Sequence, residues 1–578
     1  MVKTMVKKFF NHYFYVAVIL IIITVLFTYP IAFNMTSSFY GYPGDPLGTI
    51  WWIWWFKRSI LELNTSPLFS PIVGAPDGIY RPLVTPIISL LSLPFAALYG
   101  EVFSYNFLIL SSFVLSGIGM YSLAFYLIKN EYASLISSVI FAFSPYHVAH
   151  AMDHWELAQI QWIPFCLLYM FKLDKDRNYK NAVIFGIFFI VVMFSNWYYT
   201  LFTLLLIITY FLYRAFTSKL FHIRNFIQCF NVKNLKIVGI IFFIVGIPTL
   251  TVYYYFVEPA LFSFQQIVPE RDIYELLVYS AKPWDLFLPP VYHPIFGRYV
   301  QEFVLLHLYG SNPVEQILYI GFAPFILAIY AVFKFINNKK SGEHQVVVIF
   351  TLFALLSLGF MMPPYLPIGN LKIPISLSYL LHMIAPSFRV ISRFDLILML
   401  SVSMLAGIGT KYLLEEKLKT MKISSMLIIL IIILFEFAPI PSNISQIKRP
   451  EQVYPFEEHE YEYHTTKIII PQEYYWLASQ KEDFTIIEYP VIIPPSNMEI
   501  LDLRYLFYQR IHKKKLVNGG SEKILKNLAE INETSANMLK KMGVKYAVVH
   551  TEITGKNINT TGFEIIKKFN NTLILEPQ

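Results

Sequence analysis

Cysteine is nearly missing from this sequence: only Cys166 and Cys229 occur in 578 residues. One falls in an expected membrane helix and the other in an expected cytoplasmic loop, so no disulfide framework is foreseen. Charge is scarce too, at 15% of the chain, where a soluble domain carries about a quarter. There is no Walker loop, no GxGxxG opening a helix, no HExxH and no GxSxG in a strand–turn–helix setting. ATP-driven transport and serine hydrolysis therefore lack support, and no nucleotide cofactor is expected. What fills the chain is apolar: 56% hydrophobic residues, with 51 Phe and 40 Tyr, and a mean hydropathy of +0.51. These residues recur in runs approaching the ~20 needed to cross a bilayer. The net charge of +8 would suggest nucleic acid in a soluble protein. Here the basic residues cluster between apolar runs, the pattern of cytoplasmic membrane loops, so no nucleic-acid partner is expected.

The reading is a mainly α, polytopic membrane domain over 1–440 followed by a small extracytoplasmic α/β domain over 441–578. About eleven transmembrane helices are expected, near 14–33, 104–127, 131–147, 159–173, 181–196, 198–213, 236–256, 317–336, 346–362, 392–413 and 423–439. Lys3, Lys7 and Lys8 place the N-terminus in the cytoplasm. Counting alternately from there, every inner loop is basic: Lys129; Lys172, Lys175, Arg177 and Lys180; Arg214, Lys219, Arg224, Lys233 and Lys236; Lys339 and Lys340; Lys417, Lys419 and Lys422. Pro82–Tyr99 is interrupted by Pro86 and Pro94 and reads as re-entrant or interfacial, since counting it as a span would invert every later loop. Trp51–Leu63, with four tryptophans beside Lys57, Arg58 and Glu62, reads as lying at headgroup level. Structured outer loops are expected at about 34–103, 147–158, 258–316 and 363–391.

After Pro439 the charge density rises. Phe484–Tyr489, Tyr546–His550 and Thr572–Leu575 read as strands, and Ser535–Met542 as a helix closed by Gly543. An odd span count puts this domain outside, on the face that also carries the Asn-x-Ser/Thr sequons at Asn34, Asn64, Asn443, Asn532, Asn559 and Asn570.

Ionisable side chains at a membrane face call for a partner, water or a function, and they gather in outer loops. The first loop has Gly44-Asp45-Pro46, which a turn would also explain. The second runs from Ser144 to Glu156 and holds His147, His150, Asp153, His154 and Glu156. On a helix, His147, His150 and His154 would share a face; with the carboxylates they could hold a divalent metal such as Mn, Mg or Zn, or simply face water. The third holds Asp285, His293-Pro294 and Glu315 among prolines that suggest a rigid scaffold. Arg389 and Arg393, spaced i,i+4 at the outer end of a span, could grip one phosphate or serve as snorkelling anchors.

Taken together, Gly44-Asp45-Pro46 after the first span, Phe141-Ala142-Phe143-Ser144-Pro145-Tyr146 with the His/Asp cluster, and Asp285…His293-Pro294 form a sequence of motifs. Arg389/Arg393 and the tail segments Ile487-Glu488-Tyr489-Pro490, Tyr508-Gln509 and Asn518-Gly519-Gly520 complete it. The series resembles the GT-C superfamily of polytopic glycosyltransferases, nearest to its YfhO-like and related prokaryotic members. The resemblance implies a polyprenyl-phosphate sugar donor and membrane lipids as partners. It also implies one acidic residue in the first outer loop acting as base or metal ligand and a second in the next outer loop; Asp45 and Asp153 match those positions as catalytic residues. Glu156, Asp285, Glu315, Arg389 and Arg393 are then the candidates for substrate or phosphate contact. Asp45 stands alone, without the paired acid of several branches. Rival readings are a lipid-phosphate-binding or assembly protein with a degenerate GT-C fold, and a transporter.

Overall fold

The computed structural model describes residues 2–80, 85–217, 232–252, 254, 272–307, 313–337, 343–368, 371–416, 418, 421–439, 461–462, 464–493, 499–554 and 559–578. Cys229, Lys219, Arg224, Lys339, Lys340, Lys417, Lys419, Asn443, Pro82 and parts of the 258–316 loop and of the 441–578 domain lie outside these residues.

Each expected span coincides with a helix: Val2–Phe27, Glu101–Ile128, Glu131–Ala142 with Pro145–Ala151, Trp162–Asp176, Tyr179–Ser195, Trp197–Thr217, Val232–Val252, Phe322–Asn337, His344–Met361, Asp395–Glu415 and Met421–Phe437. Five helices among the described residues are long and apolar enough to cross a membrane, and a bent pair makes a sixth. Local chemistry sets several boundaries. The Asn130 and Asn178 side chains accept from the Ala133 and Asn181 amides at helix starts. The bent pair breaks at Phe143-Ser144, where Ser144 caps a new helix with Pro145 at its first position.

The central helix is Asp395–Glu415, buried over 94% of its apolar window. Its glycines are what admit the neighbours. A Cβ on Gly407 would lie 2.0 Å from Ser137 Oγ, and one on Gly409 2.0 Å from the Leu327 carbonyl. Small residues at such crossings let backbones approach and gain packing that lipid cannot supply. Val232–Val252 is the opposite case: it is apolar all round and only 6% of its window is buried, so it presents its side chains outward.

Residues 464–578 carry a five-stranded sheet in the order Phe563–Lys568, Thr572–Pro577, Val544–His550, Thr485–Tyr489, Lys515–Leu516. The last three run parallel and the first two antiparallel. Alternation divides its faces. Ile487 and Tyr489 join a core with Leu525, Leu528 and Leu539, whereas Ile486 and Val548 join Tyr474, Leu477 and Tyr505 in the core that continues into the membrane domain.

That continuity runs through the loop after the first helix. Ser38–Tyr40 pairs antiparallel with Thr465–Lys467, and the helix Asp45–Lys57 lies against Glu499–His512. Trp51 Nε1 donates to Gln509 Oε1 at 2.8 Å, while the Gln509 amide donates to the Ile72 and Lys514 carbonyls. Trp51, Trp54 and Trp55 are buried, Trp51 against the C-terminal domain and Trp55 with its Nε1 donating to the Pro67 carbonyl at 3.0 Å.

Candidate functional site

Three loops converge on one imidazole. Asp45 begins its helix, Asp153 and His154 follow the end of Pro145–Ala151, and Glu315 sits in the short turn Pro313–Gln316. His154 Nδ1 lies 2.9 Å from Asp45 Oδ2, and its Nε2 lies 3.5 Å from Asp153 Oδ2 and 3.6 Å from Glu315 Oε1. The approach of the first loop to the second depends on Gly41. Its φ is +115°, and a Cβ there would come within 2.0 Å of the Met152 carbonyl, which accepts from the Tyr42 amide at 3.1 Å. Only glycine lets the two backbones meet this closely.

The electrostatics follow from that convergence. Burial disfavours the imidazolium, but Asp153, Asp45, Glu156 and Glu315 outweigh it and hold His154 up at about 10. His154 is therefore a cation at neutral pH, set among carboxylates. Asp45 differs from the others in access: its side chain is 57% exposed, against 12% for Asp153 and 3% for Glu315. A carboxylate tied to the cluster by one oxygen and open on its other side is placed to meet a substrate.

Beneath it, Glu315 is the anchor. Arg393 Nε donates to both Glu315 oxygens at 3.1 and 3.2 Å, Nη2 donates as well, and His150 Nε2 lies 3.4 Å from Oε2. Burial alone would raise the Glu315 carboxyl; Arg393 and His150 instead hold it well below the usual carboxylate range. Glu315 is thus engaged by Arg393 and His150, which corrects the expectation that it touches substrate phosphate.

The expected arginine clamp is corrected too. Residues 385–390 are not helical and Ile391–Phe394 is a 3₁₀ turn, so the two arginines are not stacked one helical turn apart. Arg393 is spent on Glu315 and lies over the Tyr198 ring at 4.7 Å. Arg389 Nη1 donates to Glu275 at 3.1 Å and is 40% exposed. Glu275 carried no sequence signal, because its partner lies 114 positions away.

The three-histidine metal set is likewise not what forms. His147 is a buried core residue with Nε2 at 3.0 Å from Ser112 Oγ and Nδ1 at 2.6 Å from the Ala142 carbonyl. His150 places Nδ1 against the Tyr146 carbonyl at 2.8 Å. His154 lies beyond the short helix, so the shared face predicted for all three does not exist. Among the described residues no three His, Cys, Asp or Glu side chains form a group arranged to hold a metal ion. His154, held protonated, has no lone pair to offer, and Glu315 is already bonded to Arg393, so the cluster as it stands does not fit a divalent cation.

Asp285 accepts from the Lys282 amide at 2.7 Å and so closes its own turn. Burial pushes its carboxyl up to about 6, against the Lys282 hydrogen bond and charge. A carboxyl whose folded value exceeds its unfolded value of about 3.9 binds protons more readily when folded, so it costs stability as pH rises through that window. Asp285→Asn is expected to raise the melting temperature at pH 7.5, by an increment worth about 2 kcal/mol. That gain should shrink as pH falls from 6 towards 4 in fluorescence-monitored melts; a gain independent of pH would refute the assignment.

No protein-family model matches the sequence, and no curated protein does. Among solved structures, the arabinofuranosyltransferase AftD from Mycobacteria is similar in fold: TM-score 0.51 at 11% identity, covering 98% of this chain and 41% of that one. The oligosaccharyltransferase AglB from Archaeoglobus fulgidus, solved with an inhibitory peptide and a dolichol-phosphate, gives TM-score 0.48 at 12% identity over 95% of this chain and 70% of that one. ArnT from Cupriavidus metallidurans gives TM-score 0.40 at 10% identity over 99% and 98%. At such identities the likeness is one of fold. The chain is a multi-pass, helical membrane protein whose fold is similar to that of AftD.

Proposed function

We propose that this protein is a membrane glycosyltransferase that moves a sugar from a polyprenyl-phosphate-linked donor to a lipid, glycan or protein acceptor at the extracytoplasmic face. The observation that carries the reading is the exposed Asp45 carboxylate held 2.9 Å from a buried, carboxylate-ringed His154. The YfhO-like placement rests on the sequence motifs alone.

The chemistry is a single displacement. The acceptor hydroxyl attacks the anomeric carbon, its proton passes to Asp45, and the carbon–oxygen bond to phosphate breaks, releasing polyprenyl phosphate with the bonding pair. One attack with no covalent intermediate inverts the anomeric centre. A base so positioned contributes about 10²–10⁴-fold. His154 supplies positive charge near the departing phosphate. Asp153 and Glu315 fix the imidazole, and Arg393 fixes Glu315.

Purified protein in lipid vesicles is expected to consume a radiolabelled polyprenyl-phosphate sugar and yield label in a new product of inverted configuration. Tight donor binding with no turnover would instead favour the lipid-binding or assembly role. The same reading sets the topology: N-terminus in the cytoplasm, residue 578 outside, in the cytoplasmic membrane. A C-terminal reporter that is active only in the cytoplasm should be silent, and a strong signal would move the Asp45 cluster to the wrong face.

A further inference from the structure

The chain that follows the helix His344–Met361 is built inside out. Strands Tyr365–Ile368 and Leu371–Pro374 pair antiparallel, with Leu366 opposite Ile373 and Ile368 opposite Leu371. By the two-residue period of a strand, Leu366, Leu371 and Ile373 share one face. All three are exposed, Leu371 at 67%. The other face holds Tyr365, which is buried, and Lys372, whose Nζ lies over the Tyr365 ring at 5.1 Å. The next helix, Leu377–Ile384, repeats the inversion. It buries Ser378 and exposes Leu380, Met383 and Ile384, the last at 84%. A helix facing water would expose the serine and bury those three.

Both pieces are fastened to the end of His344–Met361. The Ile375 amide donates to the Pro364 carbonyl at 3.1 Å. The Ser376 and Ser378 hydroxyls donate to the Met362 carbonyl at 3.3 and 3.1 Å. Leu377 packs on Gly359, where a Cβ would lie 2.9 Å from Leu377 Cδ1. The apolar faces are thus held at the end of an apolar helix that is long enough to span and itself exposes Leu355.

Charge narrows the choice of partner. From His344 to Phe394 the sequence has no Asp or Glu, and Lys372 is its one lysine. Arg389 and Arg393 are already paired with Glu275 and Glu315. We propose that residues 365–368 and 371–384 form a membrane-contact surface, seated at the boundary between headgroups and acyl chains. Leu371, Ile373 and Ile384 enter the lipid, and Lys372 reaches back to headgroup phosphate along its own aliphatic stem. The depth is bounded by the backbone: the outer edges of a two-stranded ribbon carry amides and carbonyls that hydrocarbon cannot satisfy. A two-fold contact of this face with a second copy fits less well. It would bring two Lys372 residues together with no carboxylate in the segment to answer them. The inference stands without the glycosyltransferase reading.

The test uses the full chain with Cys229→Ser and the buried Cys166 retained, in nanodiscs of phosphatidylcholine and phosphatidylglycerol. A nitroxide is attached in turn at Leu371→Cys, Ile373→Cys and Ile384→Cys, exposed positions whose replacement spares the core. Leu355→Cys serves as the lipid reference, and Lys541→Cys, exposed on the C-terminal domain, as the water reference. Power-saturation spectra should show all three sites more accessible to oxygen, which concentrates in lipid, than to a nickel chelate, which stays in water. Their depth parameter should have the sign found at Leu355 and opposite to that at Lys541, with a smaller value than at Leu355. Should one variant fail to fold, the other two decide. Nickel access matching Lys541 would place the segment in water, and shielding from both reagents would place protein against it; either result would overturn the proposal. Lipid exposure at the strand sites without the helix site, or the reverse, would overturn it as well.

Discussion

Replacing Asp45 by asparagine is expected to lower sugar transfer from a polyprenyl-phosphate donor by at least about a hundredfold, with little change in melting temperature. The substitution keeps an oxygen that can accept from His154 but removes the basicity that would take the acceptor proton. Because Asp45 is 57% exposed, the fold loses little when its charge is removed. Asp153→Asn should depress transfer to a similar extent by a different route, since Asp153 helps keep His154 charged and in place. The two should not multiply: groups acting through one imidazole behave as a unit, so the double variant should be only slightly worse than either single one. Initial rates with purified protein decide this. Parental rates in both single variants would remove the assignment and leave lipid binding without transfer as the better reading.

Breaking the pair below the cluster should affect the fold as strongly as the chemistry. Glu315 and Arg393 have side chains only 3% and 15% exposed, so removing either leaves a charge with much of its hydration gone. Arg393→Met or Glu315→Met is expected to cost about 3–5 kcal/mol. The double variant should recover much of that loss, because an apolar pair of similar volume carries no desolvation penalty. Activity should not recover with it, since His150 and His154 lose the carboxylate they share. Melting curves and transfer rates across the four-member cycle separate the two effects. Single variants melting at the parental temperature would show that the pair is held in solvent and does not organise the site.

How much of this was legible beforehand depended on distance along the chain. Long apolar runs give the helices at their observed places, because a helix is closed by bonds between near neighbours and its period is written in local sequence. The same holds for Gly543 closing the Glu533–Lys541 helix and for the strands of the C-terminal domain. Asp45 and Asp153 stood out as carboxylates at membrane-facing loop ends, where unexplained charge is itself a signal. Local spacing misled where the backbone left the assumed helix: His147 turned into the core, His154 fell past the helix end, and Arg389 and Arg393 parted to separate acids.

The sequence by itself determined the membrane class, the order of the helices and which loops hold charge, since each follows from hydropathy and composition over a few turns of chain. Only the tertiary structure decided that Glu315 lies under His154, that Arg393 serves Glu315 and that the C-terminal domain buries Trp51 against Gln509. Those pairings depend on close approaches such as Gly41 against Met152, where two distant backbones meet because nothing projects between them, and no local period encodes such a meeting.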